Sequence, residues 1–425
     1  MVEPVETAPV PRRARFLTLG CKVSQYDAEV IRERAADAGC AVTDEDPDVV
    51  VVTTCAVTAQ GQARSLKAVR RMAREHPRAR IYVTGCGAAL APEAAAALPR
   101  VAAVVPPARR DELLDLFGGR PDPAPAIERR VRARAGRARA FVKVQDGCPL
   151  RCAYCIVPLL RPAPRSKRPD TVVAEIATLE RAGYPEVVLT GIHLGAYGPP
   201  GALAALVRRV LRETGLRRLR LSSLECSELD AGLLEVLASE PRLAPHLHLP
   251  LQSGSPRVLA AMRRRTPPAG FLDAVAAVRT ARPGCAVTTD VIAGFPGETE
   301  EDFEATLSVL TGAGVAGAHV FPFSPRPGTP AAGLPGRVDP REIRRRAARA
   351  EAVVAGLSLA ARQAAAGRDA TVAVEFRRRR GFLHGRTEHG FGAYFDGEDS
   401  LMGHATRVTL AEPFADGLRA RPVAR

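Results

Sequence analysis

The chain has no tryptophan and is heavy in Ala, Arg, Gly and Pro, the bias of a GC-rich genome. No run of 18 apolar residues occurs, which excludes a transmembrane helix. Residues 1–15 lack the apolar core of a signal peptide, and 1–14 read as a disordered leader. Cysteine is sparse and odd in number, nine in 425 residues, so a disulfide framework is excluded. Reducing cytoplasm is the expected compartment. Acidic residues are in deficit, 46 against 61 Lys and Arg, giving a net charge of +15. That excess suits a polyanionic partner such as nucleic acid, although the arginine-rich composition alone accounts for much of it. Its clustering says more. Residues 127–143 hold six arginines and one lysine against one glutamate, and Arg377–Arg380 form a second block.

What is present centres on Cys148, Cys152 and Cys155, spaced CxxxCxxC directly after a strand-like run. Three thiolates this close can bind three corners of a cubane iron–sulfur cluster and leave one iron open. A structural zinc site would close with four ligands. The next histidine after the motif is His193, too far along the chain to serve as a local fourth.

From Arg15 the pattern alternates strand and helix, which predicts a doubly wound parallel α/β domain over 15–117. Strands are expected at 16–19, 49–52, 81–83 and 101–105. The first three end at Cys21, Cys55 and Cys86. Ligands of parallel sheets sit beyond the carboxyl ends of strands, so these cysteines should converge as a second three-cysteine set. Cys40 fits no such pattern and reads as structural. Gly85-Cys86-Gly87 lacks a full GxGxxG and carries no nucleotide-loop argument. A Pro/Gly-rich and then basic linker, 118–138, follows.

Residues 139–363 read as six βα units, a partial (β/α)6 barrel with a trailing Arg-rich helix. Asp170 is expected to cap the first helix of this region. Residues 364–425 alternate as four short strands, fitting a small β-barrel.

The segments TLGCKVSQYDAE, VVTTCAVT, VTGC, EVVLTGIHLGAYG, PHLHLPLQSGS and HVFPFSPRPGTPA, with the cysteine motif and its Tyr154, resemble the radical SAM methylthiotransferases. The wording of the first segment is similar to the branch acting on threonylcarbamoyladenosine in tRNA. The resemblance implies two [4Fe–4S] clusters, one on Cys148, Cys152 and Cys155 that cleaves S-adenosylmethionine (SAM), and an auxiliary one on Cys21, Cys55 and Cys86. Tyr154, Thr190, Gly191, Ser222, Glu225 and Gln252 would contact SAM. The terminal barrel would be a TRAM-like RNA-binding module.

Arg165, Arg168 and Arg377, Arg378, Arg379 and Arg380 would touch RNA, with Phe382 and Tyr394 as stacking residues. The implied partners are the tRNA anticodon arm, an electron donor such as flavodoxin or ferredoxin, and a sulfur donor. A monomer off the membrane is expected. Sister activities on isopentenyladenosine or a ribosomal-protein aspartate, and a non-catalytic RNA-binding iron–sulfur or zinc protein, stay open. The chain departs from the family at Pro149, at Gly87 after the third motif cysteine, and in Leu159–Pro169, where the usual Arg-Gly pair is missing.

Overall fold

The computed structural model describes residues 11–118, 125–133, 138–378 and 381–423. It divides into two compact units. The first comprises residues 1–132, 143–171 and 324–332; the second comprises 133–142, 172–323 and 333–425.

The first unit is built on five strands: β1 (Arg13–Thr18), β2 (Ala41–Val42), β3 (Val49–Thr54), β4 (Arg80–Gly85) and β5 (Val101–Val105). All are parallel and run in the order β2-β1-β3-β4-β5. Four strands were expected. The two-residue β2 gave no signal because its side chains are exposed and it forms only an edge.

The unbroken apolar run of β3 is buried on both faces, as a central parallel strand must be. Helix Lys22–Asp37 and the Leu113–Phe117 segment cover one face, with Ile31, Ala35, Leu113 and Phe117 in its core. Helix Ala59–Glu75 covers the other through Val69, Met72 and Ala73. Thr58 caps that helix, accepting from the Gly61 N–H at 3.0 Å.

In this strand order the chain reverses direction of build between β1 and β3, and a ligand crevice belongs there. The same unit holds the end of β6 (Arg139–Asp146), which pairs antiparallel with β7 (Arg165–Ser166).

The second unit contains the start of β6 followed by β8 (Glu186–Gly191), β9 (Arg218–Leu221), β10 (His246–His248), β11 (Ala286–Ala293) and β12 (Gly317–Pro322). The β8–β9, β10–β11 and β11–β12 pairs are parallel, and a Ser223–His248 bridge joins the two groups. This matches the expected partial barrel, with β6 beside β8. Asp170 is a correction: it lies in the first turn of helix Pro169–Arg181, whose first position suits proline. The C-terminal helix runs Pro340–Ala365 behind an Asp339 cap.

A closed barrel follows, in the order β13 (Asp369–Arg377), β14 (Leu383–Thr387), β15 (Gly392–Phe395), β17 (Gly417–Pro422) and β16 (Ala405–Phe414). Four strands were expected here also. The missed β17 closes the barrel by pairing parallel to β15 and antiparallel to β16. Its Arg-Pro-rich sequence hides the alternation.

His384 is buried in this barrel between the rings of Phe376 and Tyr394. Burial, with Arg378 and Arg386 nearby, pulls its pKa down to about 4. An unfolded histidine titrates near ~6.5, so over that interval the unfolded chain binds a proton the folded barrel refuses. Stability is therefore full above pH ~6.5 and falls toward pH 4, by up to about 3 kcal/mol. His384→Phe keeps the ring stack and removes the titration. Amide-exchange protection of β13 to β15 should lose its pH dependence across this window in the variant, and an unchanged dependence contradicts the assignment.

Candidate functional site

In the first unit β1, β3 and β4 are adjacent, and each runs into a cysteine. Cys21 sits at the N-terminus of helix Lys22–Asp37, its Sγ 3.6 Å from Ser24 Oγ. The Cys55 N–H donates to Ser65 Oγ at 3.0 Å. Cys86 follows β4 directly and is buried. Burial raises the Cys86 thiol pKa, a hydrogen-bonded Arg161 opposes that, and the charges of Cys21 and Cys55 raise it further. The Cys86 thiol therefore lies within electrostatic reach of Cys21 and Cys55.

The glycines around Cys86 serve this packing. A Cβ on Gly85, at φ +89°, would lie 2.4 Å from the Thr54 carbonyl oxygen, and one on Gly87 would lie 2.8 Å from that of Cys55. Any other residue would push the β3 and β4 ends apart.

The second cysteine set leaves β6 in the same unit. Gly147, at φ +81°, makes the turn; a Cβ there would lie 2.2 Å from the Ala163 carbonyl oxygen. The Cys148 N–H donates to the Arg161 carbonyl at 3.1 Å, and the Cys155 N–H to that of Cys152 at 3.1 Å. None of the nine cysteines is in a disulfide.

Between the two sets lies a buried ion cluster that sequence reading missed. Asp27 binds Lys143, Arg110 at 2.9 Å and Arg161 at 2.9 Å. Asp146 binds Arg161 at 2.7 and 2.9 Å and Lys143 at 3.1 Å. Burial alone would raise the pKa of both carboxyls. Lys143 and Arg161 overcome that and hold Asp146 at about 2; Arg110, Lys143 and Arg161 hold Asp27 lower still. Two acids face three bases, so one positive charge is left over. Arg161 also reaches Cys86 by its side chain, while its backbone holds Cys148.

The available signal was Lys143, a charge set between Val142 and Val144 in β6, and it is fully buried. Nearby, Lys167 Nζ donates to Tyr26 Oη at 2.8 Å and to the Arg129 carbonyl at 2.7 Å. Arg165 is exposed, and Arg168 pairs with Glu128 at 3.5 Å.

In the second unit the proposed SAM contacts follow consecutive strands. Thr190 and Gly191 end β8; Ser222 and Glu225 follow β9; Gln252 follows β10. Ser222 Oγ is buried without a hydrogen-bond partner. Gln252 holds φ +69°, a left-handed conformation that costs a non-glycine residue about 1–3 kcal/mol. Glu225 is gripped by both guanidinium nitrogens of Arg264, one at 2.8 Å. Burial, with the Glu225 charge beside it, pushes Cys226 up to about 12. It and Cys285, pushed to about 11 by burial, are packed thiols, as expected.

Arg377 is bound by Asp399 and by the Gly397 carbonyl at 2.7 Å. Arg378 lies over the rings of Phe376 and Tyr394, at 5.1 and 5.8 Å. Phe382 meets Phe414 edge-on, and Arg419 covers both. Tyr394 is buried, with its hydroxyl on Asp416, so it supports this surface from below. Arg379 and Arg380 lie outside the described residues.

Residues 142–310 match the radical SAM superfamily, and residues 13–106 match the uncharacterized protein family UPF0004. The threonylcarbamoyladenosine tRNA methylthiotransferase MtaB of Bacillus subtilis is 39% identical over 76% of this chain and 76% of its own length. This chain belongs to the MtaB-like radical SAM methylthiotransferases. The MtaB of Thermotoga maritima is 33% identical over 93% of this chain and 94% of its own. A tRNA-2-methylthio-N(6)-dimethylallyladenosine synthase from Jannaschia is 32% identical over 99% of this chain and 96% of its own.

Among solved structures, the radical SAM methyltransferase TsrM of Kitasatospora setae shares the fold with TM-score 0.53 at 16% identity, covering 88% of this chain and 80% of that one. An iron–sulfur cluster and SAM go with radical SAM chemistry. The donor set fits: two sets of three thiols, each on a backbone held by hydrogen bonds. Among the described residues no three His, Cys, Asp or Glu side chains lie close enough to hold one metal ion. A cubane does not require that, because each thiolate binds a separate iron.

Removing Arg161 takes one cationic partner from each of two buried carboxylates and leaves them to Lys143 and Arg110. Arg161→Met should destabilise the first unit by about 3–5 kcal/mol in urea unfolding of the cluster-free chain. Asp27→Asn should recover part of that in the double variant; strict additivity of the two contradicts the shared cluster.

Proposed function

We propose that the chain is a tRNA methylthiotransferase that acts at C2 of N6-threonylcarbamoyladenosine next to the anticodon. On this reading Cys148, Cys152 and Cys155 hold the SAM-cleaving cluster, and Cys21, Cys55 and Cys86 hold the auxiliary one. The observation that carries it is that both three-cysteine sets belong to one compact unit and share Arg161. Relatives named for threonylcarbamoyladenosine are 33–39% identical and those named for its dimethylallyl counterpart 32–36%, a narrow margin that favours the former.

An aromatic C–H offers no leaving group and no acidic proton, so polar catalysis has no foothold. When bound, the clusters and SAM supply a 5′-deoxyadenosyl radical and the sulfur to be inserted. The chain's own work is positioning. Gly147 and the Arg161 carbonyl shape the Cys148 loop. Asp27 and Asp146 fix the Arg161 guanidinium so that its charge faces Cys86. Thr190, Gly191, Ser222 and Gln252 offer a hydroxyl- and backbone-rich rim for SAM, and Arg264 keeps Glu225 in place as an acceptor. The Arg378–Phe376 and Arg419–Phe414 pairs offer cationic, stackable surface to unpaired bases.

Cys148→Ala should abolish SAM cleavage, whereas Cys21→Ala should keep cleavage and lose sulfur transfer; persistent transfer in the latter overturns the auxiliary assignment. Mass spectrometry of tRNA nucleosides from a deletion strain should show loss of the methylthio-threonylcarbamoyl nucleoside. Its persistence, with loss of the isopentenyl analogue, shifts the substrate to the sister adenosine. Binding of the anticodon arm should weaken steeply with salt, as counterion release requires.

A further inference from the structure

The segment Ser324–Ala332 lies within the first unit although the chain on either side of it belongs to the second. It touches both cysteine sets. Ser324 Oγ accepts from the Ala59 N–H at 2.9 Å, at the start of the helix that follows Cys55. The Ala331 N–H donates to the carbonyl of Ala153, between Cys152 and Cys155, at 2.9 Å. Arg326 stands in the middle of this segment. Pro325 has a fixed φ, and Pro327 restricts Arg326 to extended backbone, so the side chain springs from a stiff base. Thr329 fastens the turn by donating its hydroxyl to the Arg326 carbonyl at 2.7 Å.

The Arg326 side chain is 3% exposed. Its guanidinium donates to Gln62 Oε1, and its Nε–H has no partner. Among the described residues it makes no ion pair with a carboxylate. Burying an unpaired cation costs several kcal/mol, and evolution usually removes such a group unless an anion arrives to meet it. The Cys55 side chain lies within electrostatic reach of this guanidinium. The geometry agrees: Gln62 follows Gly61, and a Cβ on Gly61 would stand 3.6 Å from Cys55 Sγ.

We propose that Arg326 is a positioning residue for the auxiliary cluster, its guanidinium donating to the anionic sulfur that Cys55 presents once a cluster is bound. This rests on the assignment of Cys21, Cys55 and Cys86 above. Hydrogen bonds and positive charge at cluster sulfurs favour the reduced, more negative state. Arg326 therefore helps to set the reduction potential of the auxiliary cluster, from the Cys55 side as Arg161 does from the Cys86 side.

The test uses the full chain with Cys148, Cys152 and Cys155 all changed to alanine, reconstituted anaerobically so that a single cluster remains. Spectroelectrochemical titration should give a more negative midpoint for Arg326→Met. Arg326→Lys, which keeps the charge without the planar fork, should shift it part of the way. Equal midpoints with Arg, Met and Lys overturn the proposal. So does iron loss in Arg326→Met alone beside an unshifted Arg326→Lys, since that marks a packing role. Failure of the Arg326-containing chain to hold any cluster overturns the auxiliary assignment itself, and the proposal falls with it.

Discussion

Five charged side chains meet where almost no water reaches, and the placement of the chemistry depends on how they balance. Asp27 comes from the first helix, Arg110 from the region after β5, Lys143 and Asp146 from β6, and Arg161 from beyond the CxxxCxxC loop. Burying any of these alone is prohibitive, and breaking a buried pair leaves an uncompensated charge. The cluster therefore specifies one arrangement of four chain segments. One of its cations, Arg161, also reaches the Cys86 side chain, so the interaction that fixes the fold extends to a cysteine. Sulfur donors that carry negative charge are best held where fixed positive charge already exists.

Much of this was legible in the sequence, and the reasons differ by element. β3 announces itself as an unbroken β-branched run because both of its faces are buried. The cysteines announce themselves because parallel strands place their carboxyl ends on one edge, which makes a spacing of some thirty residues equivalent to proximity. Helix starts at Thr58, Ser255 and Thr299 carry capping side chains that can be read directly.

Other features were invisible because pairing, not pattern, creates them. β2 and β17 exist only through their neighbours. The contacts of Asp27 span 116 and 134 residues to Lys143 and Arg161. Arg326 was read as part of a motif, yet its burial without a carboxylate emerges only in three dimensions. The departures at Pro149 and after Pro158 looked like losses from the family pattern. Arg161 lies within that altered stretch and is its most heavily bonded side chain.

The central claim is that two sets of three cysteines hold two independent four-iron clusters. Iron and sulfide content after anaerobic reconstitution tests it most directly, on the intact chain and on variants with either set changed to alanine. The account requires about eight irons in the intact chain and about four in each variant. About four irons in the intact chain, or zinc in place of iron, would contradict it.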